Sequence, residues 1–173
     1  MSLARRYAAA MEWLYIGAIG ISAGALVLIT LAIPYGVFMR YVMNSAASWP
    51  EPFAVLMMVL FTFVGGAAAY RASVHIAVAV LTDLLGGWVK RGVALLADLC
   101  MVAIALFMIW HGAELVKVTM GQTIGEFPSL PVGVTYLPIP VGGVLTLLFI
   151  LERLWLGAPP PSSWIHRDQP LAE

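Results

Sequence analysis

This chain of 173 residues is 62% hydrophobic and only 10% charged, with nine acidic and nine basic side chains. Soluble domains carry about a quarter charged residues, so this composition excludes an ordinary water-soluble protein and indicates that lipid is the solvent. Function is then to be sought among the few polar groups placed within or beside the membrane.

Four apolar segments, each long enough to cross a bilayer as a helix, occupy most of the chain. The predicted spans cover residues 13–39, 50–70, 92–115 and 131–152. Pro34 is expected to break the first span near its far end, and Pro138 and Pro140 fall inside the fourth. We therefore predict an all-α integral membrane protein, with residues 1–156 as a single four-helix domain and a mobile tail over residues 157–173.

The basic residues are distributed unequally between the two sides of these spans. Seven of the nine lie before the first span, between the second and third, or after the fourth, whereas Arg40 and Lys117 lie on the other side. Because cytoplasmic loops are enriched in Lys and Arg, we expect both termini in the cytoplasm. The first apolar run is too long for a signal peptide and is expected to remain as an anchor.

The segment 73–90 is too short and too mixed in composition to be a span. Gly86 and Gly87 divide it, and Trp88 beside Lys90 suits the headgroup boundary of a membrane. We interpret the segment as an amphipathic helix lying along the cytoplasmic surface, with an ordinary loop as the alternative.

Cysteine and histidine usage argues against several enzyme classes. Cys100 is the single cysteine, which leaves no thiol pair and no cysteine metal cluster. His75, His111 and His166 lie in three different regions, so no facing pair for a membrane haem is expected. The sequence also has no Gly-rich phosphate loop and no arguable Ser–His–acid set, and an enzyme is not expected.

A transporter working alone would need ionisable groups near the middle of the bilayer. Asp98 lies only about 10 Å of helix rise into the third span, in its inner half. His111 and Glu114, three residues apart, share a helix face near the outer end and can interact. We favour polar groups near the interfaces or facing another subunit over a proton relay.

The connection between the first two spans carries a predicted rigid turn. Ser48 and Glu51 have the spacing of a capping box, and Arg40 is expected to pair with Glu51 across the turn. Trp49 and Tyr41 are expected to anchor the outer interface.

Three groups of residues follow one another in a specific order. They are Arg40-Tyr41-Val42-Met43-Asn44 with Trp49 and Glu51, then Gly65-Gly66-Ala67-Ala68-Ala69-Tyr70-Arg71 before His75-Ile76, and then Pro131-Val132-Gly133, Tyr136 and Pro140-Val141-Gly142. At these residues the chain resembles the small membrane subunit (DctQ type) of tripartite ATP-independent periplasmic (TRAP) transporters. The resemblance covers roughly residues 34–155.

Two positions depart from the family pattern. The family usually has two consecutive acids after the tryptophan, whereas Trp49 is followed here by Pro50-Glu51-Pro52. It also often has an aspartate shortly after the His-Ile pair, where this chain has Ala79. A role that depends on either carboxylate is therefore in doubt.

The resemblance implies a non-catalytic scaffold in the bacterial inner membrane, without a cofactor of its own. Its partners would be a large permease subunit, which carries the substrate and sodium sites, and a periplasmic binding protein that delivers an organic acid. The residues expected to be structural or partner-facing are Arg40, Tyr41, Asn44, Trp49, Glu51, Arg71 and His75. The alternatives are a self-sufficient homodimeric transporter and a membrane electron-carrier subunit.

Small residues offer a surface for close helix contact in lipid. Gly17, Gly20 and Gly24 recur at three- and four-residue steps in the first span, and residues 65–69 of the second are all Gly or Ala. Docking of the large subunit and packing within the four helices are equally good interpretations. We expect Gly20→Leu to weaken association with the large subunit while leaving membrane insertion intact.

Overall fold

A computed structural model describes residues 3–45, 47–72 and 87–156 of the chain. The elements in chain order are α1 (Leu3–Tyr41), α2 (Pro50–Arg71), α3 (Gly87–Thr119), β1 (Thr123–Ile124), β2 (Phe127–Pro131), α4 (Val132–Tyr136) and α5 (Pro138–Leu156). Four stretches of this structure are long and apolar enough to cross a membrane: Arg6–Tyr41, Pro50–Arg71, Leu95–Thr119 and Val132–Trp155. The predicted all-α architecture with four spans is confirmed.

The four long helices pack in an order that differs from their order in the chain. Helix α1 packs on α2, α2 on α5, and α5 on α3, so that α1 and α3 lie at the two ends of a row. Two adjacent glycines allow α5 to approach both neighbours. A Cβ added at Gly142 would lie 2.7 Å from the carbonyl oxygen of Phe63, and one added at Gly143 would lie 3.0 Å from that of Ala105. Larger side chains there would force these helices apart.

The predicted break at Pro34 is wrong, because α1 continues through this residue to Tyr41. Proline removes one backbone donor from a helix. In membrane helices that loss is tolerated where neighbouring groups or local adjustments satisfy the freed carbonyl. Pro138 and Pro140 do not interrupt α5 either. Pro138 is its first residue, and the N–H groups of a first turn have no helical acceptor in any case.

A short hairpin precedes the fourth span and was not predicted. Strands β1 and β2 pair antiparallel, with Thr123 opposite Pro131 and Ile124 opposite Phe127. The short helix α4 follows directly, and Leu137 separates it from α5. The fourth span is therefore built from two helical pieces rather than one.

The predicted surface segment is only partly described. Residues 73–86, and with them His75, lie outside the described residues, as does the predicted tail from residue 157. Residues 87–90, assigned to the surface segment from sequence, continue into the third membrane helix, since α3 begins at Gly87.

Candidate structural and partner-binding sites

A buried ion-pair network joins α1, α2 and α5 near the C-terminal end of α2. Arg71 is the last residue of α2, and its side chain is only 3% exposed. Its Nε and Nη2 atoms donate to the two carboxylate oxygens of Glu152 on α5, at 2.7 and 2.8 Å. Its Nη1 atom donates to Glu12 on α1 at 3.1 Å. The planar guanidinium presents its donors as a fork, so one arginine holds two acids in fixed directions.

Aromatic rings complete the surroundings of Arg71. The guanidinium carbon lies 5.1 Å from the ring centroid of Tyr15 and 5.6 Å from that of Phe149. Both rings are buried, and both belong to the apolar cluster where α1, α2 and α5 meet. Cation–π contact is attractive at these separations. The charge is thus enclosed by two acids and two aromatic faces within the subunit.

A second polar cluster joins α3 to α2 and α5 at the same level along the helices. The hydroxyl of Tyr70 donates to Asp98 at 3.1 Å, and Arg153 lies 3.6 Å from the same carboxylate oxygen. Tyr70 and Arg153 are the sequence neighbours of Arg71 and Glu152. The two clusters therefore form one layer, the Arg71 layer, which contains Glu12, Tyr70, Arg71, Asp98, Glu152 and Arg153. Asp98 acts here as a pairing group between helices.

Sequence reasoning named Arg71 and Asp98 but missed Glu12 and Glu152. A signal was present. Glu12 lies just before the first predicted span, Arg71 just after the second, and Glu152 at the end of the fourth. Successive spans alternate in direction, so these three positions meet on one side of the membrane. Opposite charges at the ends of spans that lie on the same side of the membrane could therefore have indicated this pairing.

The Arg40–Glu51 pair predicted from sequence lies at the opposite end of α2, where the chain passes from α1 to α2. Arg40 Nη2 donates to Glu51 Oε1 at 2.8 Å, and this pair is confirmed. The capping box predicted for Ser48 is wrong. Helix α2 begins at Pro50, which makes Trp49 the N-cap residue, and no side chain caps the helix. The Glu51 carboxylate is engaged with Arg40 instead.

Aromatic side chains surround this turn. Trp49 packs on Tyr35 and Phe53, with ring centroids 5.4 and 6.0 Å apart respectively. Tyr41 is largely exposed. Asn44 has a positive φ of 48°, a conformation that asparagine tolerates better than most residues. In contrast to Arg71, the two members of the Arg40–Glu51 pair are 51% and 75% exposed, and they are open to solvent or to a partner.

The two small-residue surfaces have different surroundings. On α2, Ala67 and Ala68 are buried, and a Cβ added at Gly65 would lie 3.1 Å from the Ser22 hydroxyl of α1. That surface packs within the subunit. On α1, a Cβ added at Gly17, Gly20 or Gly24 would meet nothing within 4 Å. These three glycines lie on an open face of the row.

An apolar groove of about 560 Å³ runs between α2 and the hairpin with α4 and α5. Phe53, Leu60, Phe127 and Val141 are among the residues that line it. The Thr135 hydroxyl at its wall is buried and has no hydrogen-bond partner within the described part of the chain. The described residues that line this groove include no charged side chain, so these walls suit hydrocarbon rather than a carboxylate solute.

His111 and Glu114 interact as the sequence predicted. The Nδ1 atom of His111 lies 3.6 Å from Glu114 Oε2, and the two side chains are 55% and 65% exposed. The His111 ring also packs on Phe107, with centroids 4.4 Å apart. Across residues 3–45, 47–72 and 87–156, no three His, Cys, Asp or Glu side chains are arranged to hold a metal ion.

Comparisons with known proteins agree with this architecture. A family model described as "Tripartite ATP-independent periplasmic transporters, DctQ component" matches residues 27–159. A Haemophilus influenzae protein named "Putative TRAP transporter small permease protein" is 24% identical over 129 residues, which are 75% of this chain and 80% of that protein. The matched range includes α2, α3, the hairpin, α4 and α5, together with the C-terminal part of α1 from residue 27 onwards.

Proposed function

Because the chain belongs to the DctQ family of TRAP transporter components, we propose that it is the non-catalytic small subunit that braces a large permease during sodium-coupled uptake of an organic acid. The chain is a multi-pass membrane protein of such a transporter. Its proposed partners are the large permease subunit and a periplasmic binding protein that delivers the solute. We place both termini in the cytoplasm on the distribution of basic residues.

The observation that carries this proposal is the use made of the charges in the described helices. A carrier that moves a solute needs broken helices and polar groups around a central site. Here Arg71 and Asp98 form ion pairs with oppositely charged side chains on neighbouring helices. Such a network holds helices in a fixed arrangement, which is the property that a scaffold requires.

The exposed turn of Arg40 and Glu51 supports a role in contacting a partner. Its ion pair is formed but exposed, its aromatic residues suit the membrane interface, and it lies at the opposite end of α2 from the Arg71 layer. We propose that Arg40, Tyr41, Asn44, Trp49 and Glu51 face the partner subunits, and that Arg71 acts inside the small subunit. Sodium and the organic acid bind to the large subunit in this proposal.

Omission of single components from reconstituted liposomes tests the function. Uptake of radiolabelled carboxylates under an inward sodium gradient is measured with the small subunit alone, with the large subunit alone, and with both, always with the binding protein present. We expect uptake only with both subunits. Uptake by liposomes that contain only the small subunit would contradict the scaffold role, and would support a self-sufficient transporter instead.

The open glycine face of α1 provides a second test. Gly20→Leu adds a large side chain where the structure has free space, so the folded subunit should insert normally. If this face docks on the large subunit, co-purification of the two subunits falls. Unchanged co-purification would remove α1 from the interface. Gly66→Leu, also at an open position but on α2, is the matched control.

A further inference from the structure

The outward face of α3 carries polar groups at a depth where lipid cannot accommodate them cheaply. This face is formed by Phe107, Trp110, His111 and Glu114, all exposed, and is called here the Glu114 face. It lies at the free end of the helix row, because the main contacts of α3 are with α5 and α4.

The direction of the Glu114 face follows from helix geometry. Ala105, Gly112 and Val116 form the buried stripe of α3. A Cβ added at Gly112 would lie 2.9 Å from the ring of Pro140, which fixes this stripe against α5. At about 100° per residue, Glu114 lies roughly 180° from Ala105. The Glu114 face therefore points directly away from the other described helices.

The depth of the Glu114 face follows from its position between the Arg71 layer and the Arg40–Glu51 pair, which lie at the two ends of α2. From Glu51 to Arg71, α2 rises about 30 Å, the thickness of a hydrocarbon core. Asp98 of α3 lies in the Arg71 layer, through its contacts with Tyr70 and Arg153. From Asp98, His111 is about 20 Å further along the helix and Glu114 about 24 Å. Measured along the helices, both residues therefore lie between the Arg71 layer and the level of Glu51.

The side chains lean further into the membrane rather than towards the headgroups. Side chains on a helix tilt towards its N-terminus, and α3 reaches His111 and Glu114 from the direction of the Arg71 layer. Glu114 Oε2 is held 3.6 Å from His111 Nδ1, and the His111 ring packs on Phe107 one turn deeper. The carboxylate therefore lies near the level of His111, about 10 Å below Glu51 along the helix axis.

A carboxylate in this position is costly in lipid, and such groups in membrane helices normally face protein or a water-filled cavity. Histidine at 3.6 Å supplies at most one of the donors that two carboxylate oxygens accept. The glycine face of α1 presents no such requirement, because lipid covers an apolar surface without leaving a polar group unsatisfied.

We propose that the Glu114 face docks against a transmembrane helix of the large permease subunit, and that this helix presents a hydrogen-bond donor or a cation to the Glu114 carboxylate. This inference rests on the proposed function, and identifies which surface of the small subunit holds its partner. Phe107 and Trp110, which precede the polar pair on the same face of α3, supply apolar contact area.

Two substitutions in the intact complex test the proposal. Glu114→Leu would improve the fit of this face to lipid but would leave the partner's donor unsatisfied. We expect it to lower co-purification of the large subunit by about three- to tenfold. Glu126→Leu is the matched control, since it removes an exposed acid from the hairpin turn outside the helices, and should leave co-purification unchanged. Unchanged or increased recovery with Glu114→Leu would overturn the inference.

Site-specific photo-crosslinking gives a direct readout of the neighbour. Trp110 is replaced by benzoylphenylalanine in the full complex, and Met58, an exposed position on α2, carries the same probe as a control. We expect a crosslink from position 110 to the large subunit, several times more abundant than from position 58. Crosslinks from position 110 only to lipid, or only to a second small subunit, would overturn the proposal.

These experiments separate the two proposals from each other. Failure of the unaltered small subunit to co-purify with the large subunit would contradict the proposed function itself. A complex that forms normally, and that tolerates Glu114→Leu with no crosslink from position 110 to the large subunit, would contradict only the assignment of the Glu114 face.

Discussion

The two ends of α2 carry the same type of interaction, an arginine paired with a carboxylate, in opposite environments. Arg71 is enclosed by two acids and two aromatic rings, whereas Arg40 makes a single contact with Glu51 on an exposed turn. Removing one member of a buried pair leaves an uncompensated charge in a medium of low dielectric constant, whereas an exposed pair contributes little to stability. We conclude that the first pair maintains the fold and the second is available to a partner.

The largest effect is expected for Arg71→Leu. The buried carboxylate of Glu152 and the partly buried carboxylate of Glu12 would lose their common donor, and the free energy of unfolding should fall by about 3–5 kcal/mol. Thermal unfolding in detergent, followed by tryptophan fluorescence, measures the change. Arg40→Leu is the matched control and should cost less than about 1 kcal/mol. Equal losses for the two variants would contradict the distinction between the two ends.

The acids around Arg71 should differ from each other. Glu152 accepts two hydrogen bonds from Arg71 and its side chain is 6% exposed, whereas Glu12 accepts one and is 22% exposed. We expect Glu152→Gln to lower the free energy of unfolding by roughly 1.5–3 kcal/mol, and Glu12→Gln to lower it less. Chemical unfolding in mixed micelles compares them. A larger loss for Glu12→Gln would show that α1, rather than α5, is the main partner of Arg71.

A smaller effect is expected for Tyr70→Phe, which removes one hydrogen bond to Asp98 and keeps the ring. The expected loss is about 1 kcal/mol, because Arg153 remains beside the carboxylate. The same unfolding measurement applies, with Tyr41→Phe, at an exposed position, as control. Identical stabilities for the two variants would mean that the hydroxyl of Tyr70 does not hold α3 in the row.

The smallest effect on stability is expected for Arg40→Ala, since its pair with Glu51 is exposed. If this turn contacts the partner subunits, the variant should reduce complex assembly or the rate of uptake without altering which solute is accepted. Reconstituted transport with a panel of carboxylates measures both quantities. A changed order of solute preference would contradict the scaffold role.

Contacts between residues close together in the sequence could be predicted from it, whereas contacts between distant residues could not. Arg40 and Glu51 are 11 residues apart on the two arms of one short connection, so their pairing follows from chain geometry alone. His111 and Glu114 share a helix face for the same reason. The capping box failed because α2 begins one residue later than the pattern of Ser48 and Glu51 requires.

The sequence by itself determined that four apolar helices cross a membrane and that its charges collect near their ends, since the cost of burying backbone and charge in lipid depends on composition and length. Only the tertiary structure decided the spatial order α1–α2–α5–α3 and the pairing of Arg71 with Glu12 and Glu152, which are 59 and 81 residues away. A helix that is apolar on every side carries no amphipathic signal for the face it buries. That choice depends on small residues and polar partners that meet only after the helices have packed.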